Sequence, residues 1–214
     1  MVGILGGIGS GKSSVVRQVT TLRLLILDAD RIGHDLLDDR NIQAELRHHF
    51  GEDIFADSGS VDRKRLAQIV FQPSAQSSAA LSLLNSILHP TIRQQIQSTI
   101  NHASTDVDAI ILDAALLLEA GWADQCDCLI FIETPQTVRE QRVFETRGWS
   151  AEELARREAT QWSLERKRSC AHFVVDNSNS IQQAGQQMTT VLQTVIHRRL
   201  QNNSSTSDSD TSSN

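Results

Sequence analysis

The segment that most constrains this chain is a glycine-rich run directly after its first apolar stretch. Residues 6–13 read Gly-Gly-Ile-Gly-Ser-Gly-Lys-Ser and match the pattern G-x-x-x-x-G-K-[ST]. The run follows the apolar segment Val2–Leu5 and precedes a helix-compatible stretch, which is the strand–loop–helix setting that the pattern requires. An ordinary glycine-rich turn with a surface lysine does not account for this setting. The sequence therefore predicts a phosphate-binding loop, called the P-loop below.

Each residue type in the P-loop has a physical task. Glycines allow consecutive backbone N–H groups to converge on phosphate oxygens, and a helix beginning near Lys12 points its positive end toward them. Lys12 supplies a positive charge for the β- and γ-phosphates, and the Ser13 hydroxyl is a suitable ligand for Mg²⁺. A dinucleotide-binding loop is the alternative. Asp28 and Asp30 lie near the distance from the glycines at which such a loop has its acidic residue. The glycine spacing does not fit G-x-G-x-x-G, however, and Lys12-Ser13 has no role there.

The apolar residues predict a parallel β-sheet. Five short runs are continuously apolar rather than alternating, as expected for strands that are buried on both faces. These runs are Val2–Leu5, Leu24–Leu27, Ala109–Leu112, Cys128–Ile132 and Phe173–Val175. Helical patterns lie between them, so we expect an α/β fold with right-handed crossovers. The predicted architecture is a P-loop NTPase domain over residues 1–200, with a five-stranded parallel sheet flanked by helices.

A long helical insertion separates the second and third predicted strands. Residues 31–108 contain no strand-like run and exceed what a crossover needs, so we expect a helical subdomain. Within it, leucines at 81, 84 and 88 share one helix face, and isoleucines at 92, 96 and 100 form a stripe at i, i+4 spacing. Pro90 fits the first position of a helix, so the sequence predicts two helices divided at His89-Pro90.

Further elements are predicted toward the end of the chain. Ser150 and Glu153 have the spacing of a capping box, which predicts a helix that begins there and runs to about Cys170. A last helix carries apolar residues from Ile181 to Val195. The final residues, 201–214, contain no apolar side chain, and we expect them to form a disordered tail.

Composition excludes several function classes. The 214 residues carry a net charge of −6, and aromatic residues make up 4% with no Tyr, which argues against nucleic-acid binding. No apolar run approaches the roughly 18 residues of a membrane-spanning helix. The three cysteines are an odd number, and Cys126-x-Cys128 lacks a second pair of zinc ligands. We therefore expect a soluble cytoplasmic protein without a nucleic-acid or membrane partner.

Two carboxylates follow the second predicted strand. Asp28 and Asp30 lie at the carboxyl end of Leu24–Leu27, which is the sheet edge where a P-loop also lies. One of them can take the proton from an attacking hydroxyl while the other braces the backbone. Alternatively, the pair caps the helix that begins near Arg31 by accepting from its N–H groups. Asp113 ends the third predicted strand in a Walker-B-like pattern and is a candidate for the Mg²⁺ shell.

Basic residues are concentrated between Arg139 and Arg168. Arg157 and Gln161 are spaced to share one helix face, and Arg142 and Arg147 lie just before that helix. A mobile segment that brings guanidinium groups onto the transferring phosphoryl group would act as an arginine finger. Because glutamates are interleaved with these arginines, a solvated helix face is the alternative interpretation.

These motifs together resemble the dephospho-CoA kinase family. The similarity is collinear over about residues 1–200. It rests on Gly6–Ser14, Asp28-Ala29-Asp30, Leu88-His89-Pro90, Leu116-Leu117-Leu118-Glu119, Arg157-x-x-x-Gln161, Lys167 and Asp176-Asn177-Ser178. The resemblance implies a kinase that uses ATP and Mg²⁺ to phosphorylate the ribose 3′-hydroxyl of dephospho-CoA, the last step of coenzyme A synthesis. It also implies a core like that of nucleoside monophosphate kinases.

The resemblance also assigns roles to individual residues. It implies that Asp30 activates the acceptor hydroxyl, assisted by Lys12 and Arg142, and that Asp30 also contacts the acceptor. The implied ATP-binding residues, beside Arg142, are Gly9, Ser10, Gly11, Lys12, Ser13 and Ser14. The other implied acceptor-binding residues are His89, Arg93, Arg157 and Gln161. Residues 142–168 would form the lid, and the insertion at 31–108 would hold the CoA part of the substrate.

Three positions depart from the family pattern. Leu5 stands where the family usually has Thr, Ala115 where it often has Pro, and His172 where it has Asp. None of these departures touches the P-loop or the Asp28–Asp30 pair. Two other functions remain open: a related small P-loop kinase acting on a nucleoside monophosphate or sugar acid, and a nucleotide-binding switch without turnover. A monomer or a small homo-oligomer is expected.

Overall fold

The predicted α/β fold is confirmed. The computed structural model describes the backbone of residues 1–71 and 75–207 and the side chains of 1–71 and 76–201. Five parallel strands form one sheet in the order β2-β3-β1-β4-β5. The strands are β1 Val2–Gly6, β2 Leu24–Asp28, β3 Ala109–Asp113, β4 Cys128–Glu133 and β5 Phe173–Asp176. Each extends one residue beyond its predicted apolar run, so four of them end on an acidic residue and β1 ends on the first P-loop glycine.

The described residues also form α-helices, which we number in chain order. They are α1 Lys12–Arg17, α2 Ala29–Leu36, α3 Arg40–Phe50, α4 Arg63–Val70, α5 Ala75–Asn101, α6 Gln136–Arg147, α7 Ala151–Glu158, α8 Leu164–Ser169 and α9 Ile181–Ser207. The chain forms two compact units, one made of Met1–Leu27 with Ser104–Asn214 and the other of Asp28–Ala103. In the ranges with a described structure, no helix is long and apolar enough to cross a membrane.

Strand β1 is the centre of the first unit. All five of its residues are buried, and it pairs with β3 on one side and β4 on the other. Helices α1 and α9 pack together beside the sheet, where Val15 and Val16 of α1 join Met188 of α9 in the core. Strand β1 is thus paired along both edges and covered by the layer of α1 and α9. The position of its last residue, where the P-loop begins, is therefore fixed.

Helix α5 organises the second unit and corrects one prediction. It packs against α2, α3 and α4, and Ile92 and Ile96 are buried. The sequence predicted two helices divided at His89-Pro90, but α5 continues through Pro90. A proline inside a helix removes one backbone hydrogen bond and kinks the axis without necessarily ending the helix. Packing against three other helices stabilises both halves of α5, so the helix continues.

Two predicted boundaries near the end of the chain also differ from the structure. The helix predicted from Ser150 to about Cys170 is two helices, α7 and α8. The Ser150 side chain caps α7 as predicted, but the Ser163 side chain accepts from the Arg166 N–H and begins a second helix. At the end of the chain, α9 continues to Ser207, beyond the predicted start of the tail at residue 201, and residues 208–214 lie outside the described residues.

The contact between α1 and α9 generates the first prediction. A Cβ atom built on Gly185 of α9 would lie 2.3 Å from the Cβ of Gln18. Overpacking of this kind typically costs about 1–3 kcal/mol, while alanine gains about 1 kcal/mol in helix propensity. We therefore expect Gly185→Ala to destabilise the fold by up to about 2 kcal/mol. The measurement is the free energy of unfolding in urea.

Gly33→Ala is the matched control. Gly33 lies in helix α2, and its added Cβ would meet only the end of the Ile92 side chain, at 3.4 Å. The same glycine-to-alanine change should therefore leave stability unchanged or raise it by up to about 1 kcal/mol. Equal effects of the two substitutions would show that the α1–α9 contact is not as tight as the structure indicates.

Candidate active site

The P-loop has the backbone geometry of an anion-binding turn. It connects Gly6, the last residue of β1, to Lys12, the first residue of α1. Gly9 and Gly11 have φ angles of 76° and 80°, which other residues rarely adopt. A Cβ on Gly9 would also lie 2.8 Å from Val143. Glycine is thus required at position 9 both by its backbone conformation and by the closeness of α6.

Lys12 lies on the loop as predicted. Its Nζ is 3.5 Å from the carbonyl oxygen of Gly6 and 3.4 Å from that of Gly7. The loop closes on itself through a hydrogen bond from the Ser10 N–H to the Gly7 carbonyl, at 3.1 Å. The ammonium group is therefore held over the same backbone turn whose N–H groups would receive phosphate oxygens.

The carbonyl oxygen of Ser10 accepts hydrogen bonds from three side chains. The donors are the Thr134 hydroxyl at 3.0 Å, Arg142 Nη1 at 3.2 Å and Asn177 Nδ2 at 2.8 Å. Thr134 follows β4, and Asn177 follows β5, so the ends of two neighbouring strands reach the loop. A carbonyl that is bonded on this outer side cannot turn toward the phosphates.

Part of this network was not expected from the sequence. Asn177 belongs to the family motif, but Thr134 carries no motif signal. The available signal was its place directly after a buried parallel strand, at the sheet edge where ligands bind. Arg142 was predicted to act on ATP, and the structure places its guanidinium against the P-loop and the Asn177 carbonyl, at 3.5 Å.

Ser13 and Asp113 are brought together as the Mg²⁺ prediction requires. The Ser13 hydroxyl donates to Asp113 Oδ2 at 2.5 Å, and Asp113 is buried at the end of β3. A hydroxyl and a carboxylate are oxygen ligands that suit Mg²⁺, which takes few protein ligands and completes its shell with water and substrate phosphates. The two residues therefore fit the metal.

Arg157 is held in a defined place on α7. Its Nε donates to Glu153 Oε1 at 2.7 Å, and its guanidinium lies 4.1 Å from the ring centroid of Trp149. Burial lowers the pKa of Arg157 from its ordinary value. Arg147 lies over the same indole ring at 4.8 Å. Cation–π contacts with one tryptophan ring order both of these long side chains.

A buried lysine connects α8 to the segment after β3. Lys167 on α8 is only 2% exposed, and its Nζ contacts Glu119 Oε1 at 3.1 Å, the Ala115 carbonyl at 3.0 Å and Gln161 Oε1 at 2.9 Å. Glu119 Oε1 also accepts from the Trp162 N–H, at 2.7 Å. We call Lys167, Glu119, Gln161 and Ala115 the lysine clasp. Gln161, predicted to bind the acceptor, is thus also a structural partner of Lys167.

The structure shows why the three departures from the family pattern are compatible with the fold. Leu5 is buried in β1. Ala115 takes part in the clasp through its backbone carbonyl, which any residue type provides. The His172 ring accepts the Leu129 N–H at Nδ1, at 3.0 Å, a task that a carboxylate oxygen also performs.

The second unit carries the remaining predicted residues. The Asp28 side chain caps α2 by accepting from the Arg31 N–H at 2.8 Å, while Asp30 is an exposed residue in the first turn of that helix. His89 and Arg93 are one turn apart on α5. Burial, and secondly the charge of Arg93, lower the pKa of His89. The capping role considered for the aspartate pair is confirmed for Asp28, and the catalytic role of Asp30 stays a prediction.

The clasp generates a stability prediction. Lys167→Met leaves the partly buried Glu119 carboxylate without its counter-ion, and breaking a fully buried pair in this way typically costs about 3–5 kcal/mol, which is the upper limit here. We expect a loss of up to this limit in urea unfolding. Arg168→Met on the same helix removes an exposed pair with Glu133 and should cost less than about 1 kcal/mol. Equal losses for the two variants would contradict the clasp.

Known proteins resemble this chain in sequence over most of its length. A model of the dephospho-CoA kinase family matches residues 1–183. The dephospho-CoA kinase of Rhodopirellula baltica is 36% identical over 200 residues, which cover 93% of this chain and 92% of the relative. That of Carboxydothermus hydrogenoformans is 35% identical over 195 residues, which cover 90% of this chain and 93% of the relative.

Solved structures are also similar to this chain. The crystal structure of a Thermus thermophilus protein is similar with a TM-score of 0.75 at 29% identity, covering 89% of this chain and 95% of that one. A dephospho-CoA kinase from Campylobacter jejuni is similar with a TM-score of 0.58 at 25% identity, covering 91% of this chain and 96% of that one. The resemblance predicted from the motifs is confirmed, and this chain belongs to the dephospho-CoA kinase family.

Proposed function

We propose that this protein transfers the γ-phosphoryl group of ATP to the ribose 3′-hydroxyl of dephospho-CoA, giving coenzyme A and ADP. The observation that carries the proposal is the complete P-loop of a family member, with Lys12 over the loop and Ser13 bonded to Asp113 at 2.5 Å. A coupled assay of ADP release with dephospho-CoA, nucleoside monophosphates, a sugar acid and no acceptor tests it. Turnover only with another acceptor, or with none, would overturn it.

The P-loop would bind the ATP phosphates through its backbone N–H groups and the amino-terminal end of α1. Lys12 would neutralise charge on the β- and γ-phosphates, and Arg142 would add a second positive charge beside the loop. Phosphoryl transfer has little covalent chemistry for the protein to perform, so positioning and charge stabilisation supply most of the rate. Both requirements favour a loop whose shape is fixed before ATP arrives.

The proposed Mg²⁺ ligands are Ser13 directly and Asp113 directly or through water. When bound there, Mg²⁺ would neutralise part of the charge of the phosphates. Asp113 is buried and ends β3, so its carboxylate is fixed in position by the sheet. The hydrogen bond between the two side chains keeps both oxygens at the place where the metal would be needed.

Asp30 is the proposed activating carboxylate. Asp28 is the N-cap of α2, and Asp30, two residues on, is exposed in the first turn of the helix, whose positive end stabilises a carboxylate. Asp30 would orient the acceptor hydroxyl and receive its proton as the phosphoryl group is transferred. We propose that His89, Arg93, Arg157 and Gln161 bind the anionic acceptor, which is a small molecule and not a nucleic acid. We also propose that the protein works in the cytoplasm as a monomer or small homo-oligomer.

Lys12→Ala tests the loop. The variant removes a fixed charge at the transferring phosphoryl group, and one preorganised electrostatic contact is typically worth about 10²–10³-fold in rate. We expect kcat to fall by that factor in the ADP-release assay with dephospho-CoA. Turnover close to wild type would refute the assignment of Lys12.

Asp30→Asn tests the base, with Asp28→Asn as its matched control. The amide keeps the shape of the side chain but cannot take the proton, so coenzyme A formation should fall by about 10²–10⁴-fold. The loss should appear in both kcat and kcat/KM, because the missing interaction belongs to the transition state. ATP affinity, titrated with a fluorescent analogue, should change by only a few fold.

Asp28→Asn should lose little activity, because asparagine also caps helices well. Wild-type transfer by Asp30→Asn together with loss in Asp28→Asn would mean that the two roles are reversed. If the wild-type protein binds ATP and makes no coenzyme A, the proposed function itself fails.

A further inference from the structure

Arg139 is a buried arginine that none of the roles above uses. It lies on α6 and is only 4% exposed. Its Nε donates to the carbonyl oxygen of Thr134 at 3.3 Å, and its Nη1 donates to the carbonyl oxygen of Ile8 in the P-loop at 3.4 Å. Its counter-ion is Glu158, which it contacts through the same Nη1. One guanidinium therefore joins the P-loop, the end of β4 and the lid.

Glu158 occupies a position that α7 itself does not favour. It is the last residue of α7, and a negative charge near a helix C-terminus interacts unfavourably with the helix dipole. The other acidic residues of α7, Glu152 and Glu153, lie in its first turn, where the dipole favours them. The ion pair with Arg139 compensates the charge at Glu158. The carboxylate therefore serves a contact outside its own helix.

The ion pair lies directly against the P-loop. A Cβ atom built on Gly7 would be 3.0 Å from Arg139 Nη1 and 3.2 Å from Glu158 Oε1. One built on Gly9 would be 2.9 Å from the Arg139 carbonyl oxygen. Both the side chain and the backbone of Arg139 thus limit the space of the loop.

Helix α6 holds two carbonyl groups of the P-loop from outside. Arg139 holds the carbonyl of Ile8, and Arg142, one turn further on, holds that of Ser10. A phosphate is bound by N–H groups, so a carbonyl turned inward would place partial negative charge against it. Bonding alternate carbonyls on the outer side therefore favours the arrangement in which the N–H groups face the phosphates.

We propose that Arg139 is a positioning residue for ATP, and that its ion pair with Glu158 couples the seating of α7 to the shape of the P-loop. Arg139 acts through the Ile8 carbonyl and does not touch the nucleotide. Since coupling is reciprocal, ATP on the loop should also stabilise α7, which carries Arg157. The inference depends on the proposed function only in requiring that the P-loop binds ATP.

Glu158→Gln decides the proposal, with Glu152→Gln as the matched control on the same helix. Calorimetric titration with Mg-ATP, without acceptor, gives the Kd for ATP. Couplings between sites commonly amount to about 5–150-fold, and we expect about a tenfold rise in this Kd for Glu158→Gln and no change for Glu152→Gln. In the steady state the KM for ATP should rise while the KM for dephospho-CoA stays within twofold.

A merely structural role of Glu158 gives a different result. A partly unfolded variant lowers kcat through its smaller active fraction and leaves both KM values unchanged. That outcome, or an equal effect of Glu152→Gln, would overturn the proposal. Wild-type ATP binding and coenzyme A formation are measured in the same series, so a failure of the proposed function is recognised separately.

Two further measurements test the coupling itself. In the Arg139→Gln background, adding Glu158→Gln should raise the Kd for ATP no further, because the interaction is already lost. If the fold-increases in Kd of the two single variants multiply in the double variant, the two residues act independently. Hydrogen exchange of α7 amides should slow when ATP binds to the wild type and to Glu152→Gln, but much less in Glu158→Gln. Equal slowing in all three proteins would refute the coupling even if Arg139→Gln fails to fold.

Discussion

The hydrogen bonds that hold the P-loop carbonyls outward are the constraint on which the rest of the structure depends. The Ser10 carbonyl alone accepts from Thr134, Arg142 and Asn177, which come from the ends of β4 and β5 and from α6. A glycine-rich loop has many accessible conformations, and its ordering is costly in entropy. The parallel sheet supplies the partners that offset this cost, because strands β4 and β5 end at the same edge as β1. The sheet order is thus a requirement of the phosphate site.

The lysine clasp makes the position of α8 depend on the segment that follows β3. Burying an ammonium group is expensive, and a hydrophobic residue of similar size would often be at least as stable. Lys167 instead has three acceptors: Glu119 and Ala115 in the segment after β3, and Gln161 between α7 and α8. Together they fix the positions of these two segments relative to α8. The cost of burying the Lys167 ammonium group is recovered only when all three acceptors are in place. The clasp therefore favours one arrangement of these segments.

Elements with a local sequence pattern were predicted correctly. Contacts that depend on how the chain folds in three dimensions were missed. Continuous apolar runs predicted all five strands, and the glycine pattern predicted the P-loop with Lys12 and Ser13. The break between α7 and α8 was missed because the cap at Ser163 competes with an otherwise helical pattern. Continuity at Pro90 was missed because packing along α5 outweighs the proline. Thr134 and the Arg139–Glu158 pair act on backbone carbonyls or across 19 residues of chain, and no spacing rule reports such contacts.

Burial and local hydrogen bonding separate structural from chemical roles among residues of the same type. Arg139 and Arg142 are one turn apart on α6, yet Arg139 is almost completely buried and ion-paired, whereas Arg142 is partly exposed beside the loop. Asp28 has an N–H partner in its own helix, whereas Asp30, two residues on, is exposed. A group that must meet a substrate has to keep solvent access until the substrate replaces the water, while a group that shapes the loop gains from exclusion of water. The chain places one of each kind within a helical turn, so the same segment that fixes the site also presents the residue that would act in it.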